Sequence, residues 1–187
     1  MKKRWITPSA LVLCAMLAYA GEANHALKLD PQKTYSVRLV LVGQMRLLNI
    51  GELQVFSGER NIALEGKARM SSQNERHPAA NLIDGNTSGK ASETGGMAHT
   101  WGEVAPWAEI SLPKTGSIEK IVVWNRFPEG EDCTTRLLPF RLSVLDENRK
   151  VVWETLIRRA RIQTLTEAKA GDNRFQKIEV PVSSETK

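Results

Sequence analysis

The chain has 187 residues, of which 41% are hydrophobic and 25% charged, the composition of a globular protein with room for one domain of roughly 100–150 residues plus appendages. Its 26 basic and 21 acidic residues give a net charge of +5, but Lys2, Lys3 and Arg4 all fall among the first twenty residues, which hold no acid. Without that segment 23 basic residues face 21 acidic ones, or +2, and this excludes an electrostatic case for a nucleic-acid partner.

Residues 1–5 are basic, residues 11–20 are apolar, and the run closes on Ala18-Tyr19-Ala20. Basic, apolar and small-x-small in that order predict a secretory signal peptide over residues 1–20, cleaved near Ala20, and a secreted or periplasmic mature protein. The apolar run is short for a membrane span. Cys14 leaves with the leader, so Cys133 is the single cysteine of the mature chain. An intramolecular disulfide is therefore impossible, and the core must hold the fold.

Residues 21–34 are polar and read as a lead-in linker, with one domain expected over residues 35–187. From Tyr35 onward the pattern is that of strands. Val37, Leu39 and Leu41 alternate with Arg38 and Val40, and Gly43-Gln44 makes a turn. A second extended run over residues 47–56 changes phase near Gly51, which predicts a bulge. Further strands are expected at 107–112, 118–124, 140–145, 149–156 and 177–182. The best helical candidate, 155–170, has only a weak period. Trp107, Trp124 and Trp153 lie in strand runs and are expected in the core. Many short strands separated by Gly, Pro, Asn and Asp predict an all-β fold, an antiparallel sandwich or barrel. Residues 67–106 interrupt the pattern with a stretch rich in Ser, Asn, Gly and Thr. A long loop of this kind in a compact domain is a natural place for function.

Catalytic motifs are missing. The chain has three His, one of them His25 in the lead-in, and no Gly-x-Ser-x-Gly elbow, phosphate-cradling glycine loop, His-x-x-x-His or Cys-x-x-Cys pair. The expectation is a protein that is not an enzyme.

Five segments carry a family resemblance. Residues 61–68 (Asn-Ile-Ala-Leu-Glu-Gly-Lys-Ala) with Ser71-Ser72, residues 80–87 (Ala-Asn-Leu-Ile-Asp-Gly-Asn-Thr), residues 106–112 from Pro106-Trp107, residues 118–126 ending in Asn125-Arg126, and residues 136–142 (Arg-Leu-Leu-Pro-Phe-Arg-Leu) occur in this order. Together they resemble the coagulation-factor type C, or discoidin, domains over roughly residues 47–156. The resemblance implies a galactose-binding-like jelly-roll β-sandwich. The segment Leu48-Asn49-Ile50-Gly51-Glu52-Leu53-Gln54-Val55-Phe56 is similar to the family's customary last strand but precedes the others, which implies a circularly permuted sandwich. Chance similarity in an ordinary strand is the alternative.

Within that fold, the fucose-binding F-type lectins use a His and two Arg, the second Arg shortly after an Asp. The resemblance places His99, Arg126, Asp132 and Arg136 in those roles. Arg forks and an imidazole can satisfy several adjacent sugar hydroxyls at once, and Trp101 or Phe127 could support an apolar sugar face. This chain departs from the lectins in two respects: the interval from Arg126 to Arg136 is longer, and Cys133 is followed by Thr134 rather than a second Cys. The alternative for His99 is a loop histidine satisfied by backbone, and for the two Arg, solvated charge or an ion pair with Asp132 or Glu131.

Asn81, Asp84 and Asn86 form an oxygen-rich turn around Gly85, the donor type that hard cations take. The lectin resemblance implies structural Ca²⁺ there, with Glu52 as a further ligand. The alternative is a plain Asx turn. The expected function is recognition of a carbohydrate or glycoconjugate without turnover. The competing expectation is an adhesion module of the same fold that binds protein or phospholipid surfaces.

Overall fold

The computed structural model describes residues 26–129, 134–158 and 177–184. The expected signal peptide, Asp132 and Cys133 lie outside the described residues, as does the part of the helical candidate beyond Arg158.

Twelve strands form the described part of the chain: β1 (Leu27–Lys28), β2 (Tyr35–Leu41), β3 (Asn49–Ser57), β4 (Arg60–Asn61), β5 (Lys67–Met70), β6 (Ala98–His99), β7 (Trp107–Ser111), β8 (Ser117–Ile118), β9 (Lys120–Asn125), β10 (Phe140–Asp146), β11 (Val151–Ile157) and β12 (Lys177–Pro181). One sheet runs β11-β10-β2-β7-β5, and a second runs β12-β9-β3-β4 with β6 also paired to β3. β1 and β8 make a small third pair, and all these pairings are antiparallel.

Period-two alternation explains the layers. Val37, Leu39 and Leu41 of β2, Ala108 and Ile110 of β7, and Phe140, Leu142 and Val144 of β10 point inward from the first sheet. They join Ile50, Leu53 and Val55 of β3, Ile121 and Val123 of β9 and Val180 of β12 in one buried cluster. A core shared by two antiparallel sheets is a β-sandwich-like, all-β architecture. Each fully buried Leu, Ile or Phe contributes about 1.5–3 kcal/mol, so this cluster is the main source of the fold's stability. The phase change expected near Gly51 is present as a register shift between Ile50 and Glu52 where β3 meets β9.

Three expectations are corrected. The lead-in is not all linker: Leu27 pairs with Ile118, Ala26 bridges Ser183, and both Ala26 and Leu27 are buried. Leu27 joins its β8 partner Ile118 in the buried core. The first residues of the helical candidate, Thr155–Ile157, pair with β10 as strand, where β-branched residues fit the pleat. Trp107 and Trp124 are half-buried on outward faces rather than in the core. The Trp107 ring carries the Arg38 guanidinium 4.1 Å away, and Trp124 donates its indole N–H to Gln54 at 3.0 Å.

Candidate functional site

His99 ends β6, whose pairing with β3 sets it opposite Asn49. Its backbone N–H donates to the His77 carbonyl at 3.1 Å, and its carbonyl accepts from Asn74 N–H at 2.9 Å. This short ladder holds the two imidazoles with centroids 6.2 Å apart and planes inclined by 31°. The Nδ1 atoms of both rings are buried and have no hydrogen-bond partner among the described residues.

Arg126 directly follows β9, and Arg136 lies in the 3₁₀ turn Thr134–Leu137. The carbonyls of Arg136 and Leu138 accept from Arg46 Nη2 at 2.6 and 2.9 Å, which ties that turn to the loop after β2. Burial pushes His99 below the ordinary histidine range, and the charges of His77, Arg126 and Arg136 add to the effect against one opposing hydrogen bond with the Thr100 backbone. His77 is lowered by burial and then by Arg126 and Arg76, with Glu129 opposing. Arg126 and Arg136 thus both act electrostatically on His99. Asp132, which the sequence placed in the same site, is outside the described residues.

Glu129 is held against the loop before β6. Its carboxylate accepts from Ala91 N–H at 2.6 Å, Ser92 N–H at 3.2 Å and the Ser92 hydroxyl. The Ser92 hydroxyl, ahead of the opposing burial and the two backbone donors, lowers its carboxyl below the usual range. Phe127 donates its N–H to Gly89 at 2.8 Å and has the Lys90 ammonium 5.9 Å from its ring. Trp101 is 54% exposed, its backbone N–H fixed by the Ser72 hydroxyl at 3.1 Å. It is therefore available as a flat apolar surface.

The oxygen-rich turn packs on the bulge of β3. Glu52 is completely buried. One of its carboxylate oxygens accepts from Gly85 N–H at 3.1 Å, while Oε2 has no hydrogen-bond partner among the described residues. Burial raises its carboxyl to about 8; the hydrogen bonds of the Gly85 and Asp84 backbone oppose the rise, and the Asp84 charge reinforces it. Asp84, also raised by burial, accepts from Asn86 N–H at 2.8 Å. Asn86 accepts from Ser88 N–H at 3.0 Å, and the Asn81 side-chain amide donates to the Met97 carbonyl at 2.8 Å. Gly95 closes over this turn at φ +74°, where an added Cβ would stand 2.5 Å from Asp84 Oδ2. Two carboxylates, one with an unpaired buried oxygen, among amide and carbonyl oxygens are a donor set that suits a hard divalent cation. Among the described residues no group of three or more His, Cys, Asp or Glu converges, so further ligands would come from carbonyls.

A second feature lies beside Trp101. The loops on either side of Arg46 and Glu103 are joined by reciprocal backbone hydrogen bonds of 3.0 and 3.1 Å between these residues, and by Ala105 N–H to the Gly43 carbonyl at 3.0 Å. They present Met45 at 77% exposure and Val104 at 67%. Met45 and Ala105 both have φ of +50°, a conformation that is strained for side chains.

The outward face of the first sheet holds a separate ion cluster. Glu109, fully buried, receives Arg149 in a two-bond fork at 2.6 and 2.8 Å, Arg69 at 2.7 Å and Arg38 at 3.3 Å. Burial opposes its ionisation, but the hydrogen bonds and charges of Arg149 and Arg69 outweigh it and bring the carboxyl down to about 2. A cavity of about 300 Å³ adjoins this cluster, lined in part by Tyr35, Ser36, Asp146 and Glu147.

Sequence reasoning missed His77, which belongs to no motif and is brought to His99 by backbone pairing between segments distant in sequence. It also missed the exposed apolar side chains of Met45 and Val104, since nothing in the local sequence marks either residue as exposed. No protein-family model, curated protein or solved structure matches the chain.

Proposed function

We propose that the mature protein is a secreted, non-catalytic carbohydrate-binding module of discoidin-like, permuted jelly-roll fold. What supports this reading is the charge that Arg126 and Arg136 exert on His99, with the exposed indole of Trp101 two residues along the chain. Guanidinium forks donate to vicinal hydroxyls, the imidazole offers a donor or an acceptor, and the indole covers an apolar sugar face. Ca²⁺ fits the Glu52 and Asp84 cradle, where it would supply charge to the two carboxylates and stiffen the turn.

The chain's own residues do the positioning. Phe127 N–H on Gly89 and Glu129 on Ala91 and Ser92 tie the turn's loop to the segment that carries Arg126. Rigidity there limits the ordering lost on binding. A single small polar ligand buries little apolar area, so affinity is expected between about 10 µM and about 1 mM, and strong attachment would need several copies. A glycan array of the mature protein, with calcium and with chelator, tests the reading. Specific glycan signals lost in Arg126→Ala support it, and an array blank at high protein concentration contradicts it.

A second reading rests on Met45 and Val104, at 77% and 67% exposure next to Trp101. Bulky apolar side chains on strained loop tips suit insertion into a phospholipid surface. Vesicle sedimentation that depends on Met45 and Val104, with no glycan signal, would favour it.

A further inference from the structure

Glu109, on the outward face of the first sheet, holds three arginines without neutralising them. Its carboxylate accepts two hydrogen bonds from Arg149 and one each from Arg69 and Arg38. Each guanidinium carries five N–H donors, so Arg69 and Arg149, with side chains 57% and 45% exposed, keep donors beyond those given to Glu109. Both residues line the adjoining cavity of about 300 Å³. Arg149 stands in the turn after β10 at φ +66°, a conformation that suits glycine and strains a long side chain. Its fork nevertheless lands on β7, two strands beyond β10 in the sheet. The acids of the cavity come from the β10 side. Asp146 ends β10, and Glu147 follows it. Asp146 Oδ1 accepts from the N–H groups of Asn148 and Lys150, both at 2.9 Å, and Glu147 Oε2 accepts from Thr34 N–H at 3.4 Å. Each acid is thus held through one oxygen, and its second oxygen can accept from a ligand. Ser36 of β2, 7% exposed, and Ser111 of β7 pair in register and also line the cavity. Since β2 lies between β10 and β7, two strand spacings, about 10 Å, separate the acidic strand from the cationic one.

We infer that this cavity binds a small zwitterion, an amino acid or a short peptide, whose carboxylate lies against Arg69 and Arg149 and whose ammonium lies against Asp146 and Glu147. Arginine forks pair with planar carboxylates, and a primary ammonium brings three donors to carboxylate oxygens. The arginine cluster exceeds Glu109 by two charges, and Asp146 and Glu147 carry two of the opposite sign. A ligand with one kind of charge is drawn to one side of the cavity and repelled by the other. A molecule with both charges is complementary to the whole of it. The volume lies at the lower end of the range for small-molecule sites, and the hydroxyls of Ser36 and Ser111 offer further hydrogen bonds between the two charged sides. The cavity shares no residue with the carbohydrate site, so this is a second binding function that stands or falls on its own.

Calorimetric titration of the wild-type mature protein at pH 7 and low salt, with each standard amino acid and with alanyl-alanine, tests this directly. The tightest of them is expected to bind at least ~10-fold better than its N-acetyl form, which keeps the carboxylate alone, and its amide, which keeps the ammonium alone. Arg69→Gln and Glu147→Gln should each weaken it at least ~5-fold. Arg69 is more than half exposed and Glu147 lies in an exposed turn, so both variants are expected to fold, which a cooperative melt checks. Preference for the dipeptide over the amino acids, or the reverse, identifies which zwitterion the cavity takes. An N-acetyl or amide form that binds as well as its parent would overturn the inference by reducing the cavity to a site for one charge. Affinity unchanged in both variants, or absence of binding by every probe at millimolar concentration, would overturn it as well.

Discussion

Replacing Glu52 with Gln removes a buried ionisable group while keeping an acceptor for Gly85 N–H, and its effect can be worked out from the structure. The buried carboxyl ionises at about 8 in the folded chain against an ordinary 4.5. Between those values the folded protein binds more protons than the unfolded one. Stability is therefore complete below pH 4.5 and is lost as pH rises toward 8, at up to about 1.4 kcal/mol per pH unit. From pH 5 to pH 7.5 the loss reaches about 3 kcal/mol, which for a chain of this size lowers the melting temperature by roughly 6–12 °C. His77 and His99, with lowered pKa values, contribute a slope of opposite sign below about pH 6.5, so the quantity to read is the difference between wild type and Glu52→Gln. In chelator, calorimetric melting should show the wild type losing ground to the variant as pH rises. Calcium at a hundredfold excess over its dissociation constant should restore about 2.7 kcal/mol to the wild type at pH 7.5 and nothing to the variant. A wild-type-minus-variant difference that stays flat with pH, or equal stabilisation of both proteins by calcium, would refute the reasoning.

Three further outcomes follow from single contacts. Gly95→Ala places a methyl group 2.5 Å from Asp84 Oδ2 at φ +74°; it should destabilise by about 1–2 kcal/mol and abolish calcium-induced protection in a thermal-shift assay. Arg126→Ala should weaken glycan binding at least ~10-fold by calorimetry with the far-UV spectrum unchanged. Glu109→Gln leaves Arg38, Arg69 and Arg149 facing one another. Because the three guanidiniums are partly exposed and so partly screened, a loss of about 2–3 kcal/mol is expected in urea denaturation, at or just below the usual range for a broken buried pair. Glu109 contributes stability that is present above its ordinary 4.5 and lost as pH falls toward about 2, so the acid limb of the wild-type stability curve should flatten in this variant.

The long strands were legible because burial on one face writes a two-residue period into the chain. Val37-Arg38-Leu39-Val40-Leu41 gives β2 and Phe140-Arg141-Leu142-Ser143-Val144 gives β10. The bulge at Gly51 was legible as a break in that period. The two-residue strands β1, β4 and β6 were not, since no period can be read from two residues. Trp107 was misplaced by its hydrophobicity, although its phase with Glu109 and Ser111 already set it on the outward face. Around the site, His99, Arg126 and Arg136 were visible through motif resemblance. His77 was not, because a backbone hydrogen bond between loops leaves no mark in either sequence segment. The isolation of Glu52 Oε2 was hidden too, for its neighbours come from a turn more than thirty residues away.

Side-chain NMR of the mature protein during a sugar titration in calcium tests carbohydrate recognition most directly. Imidazole resonances of His77 and His99, the Trp101 indole N–H and the Arg126 and Arg136 guanidinium signals should shift together and saturate with one dissociation constant. Shifts confined to the Glu109 cluster and its adjoining cavity on the sheet face, or no shifts for any glycan that the array selects, would contradict it.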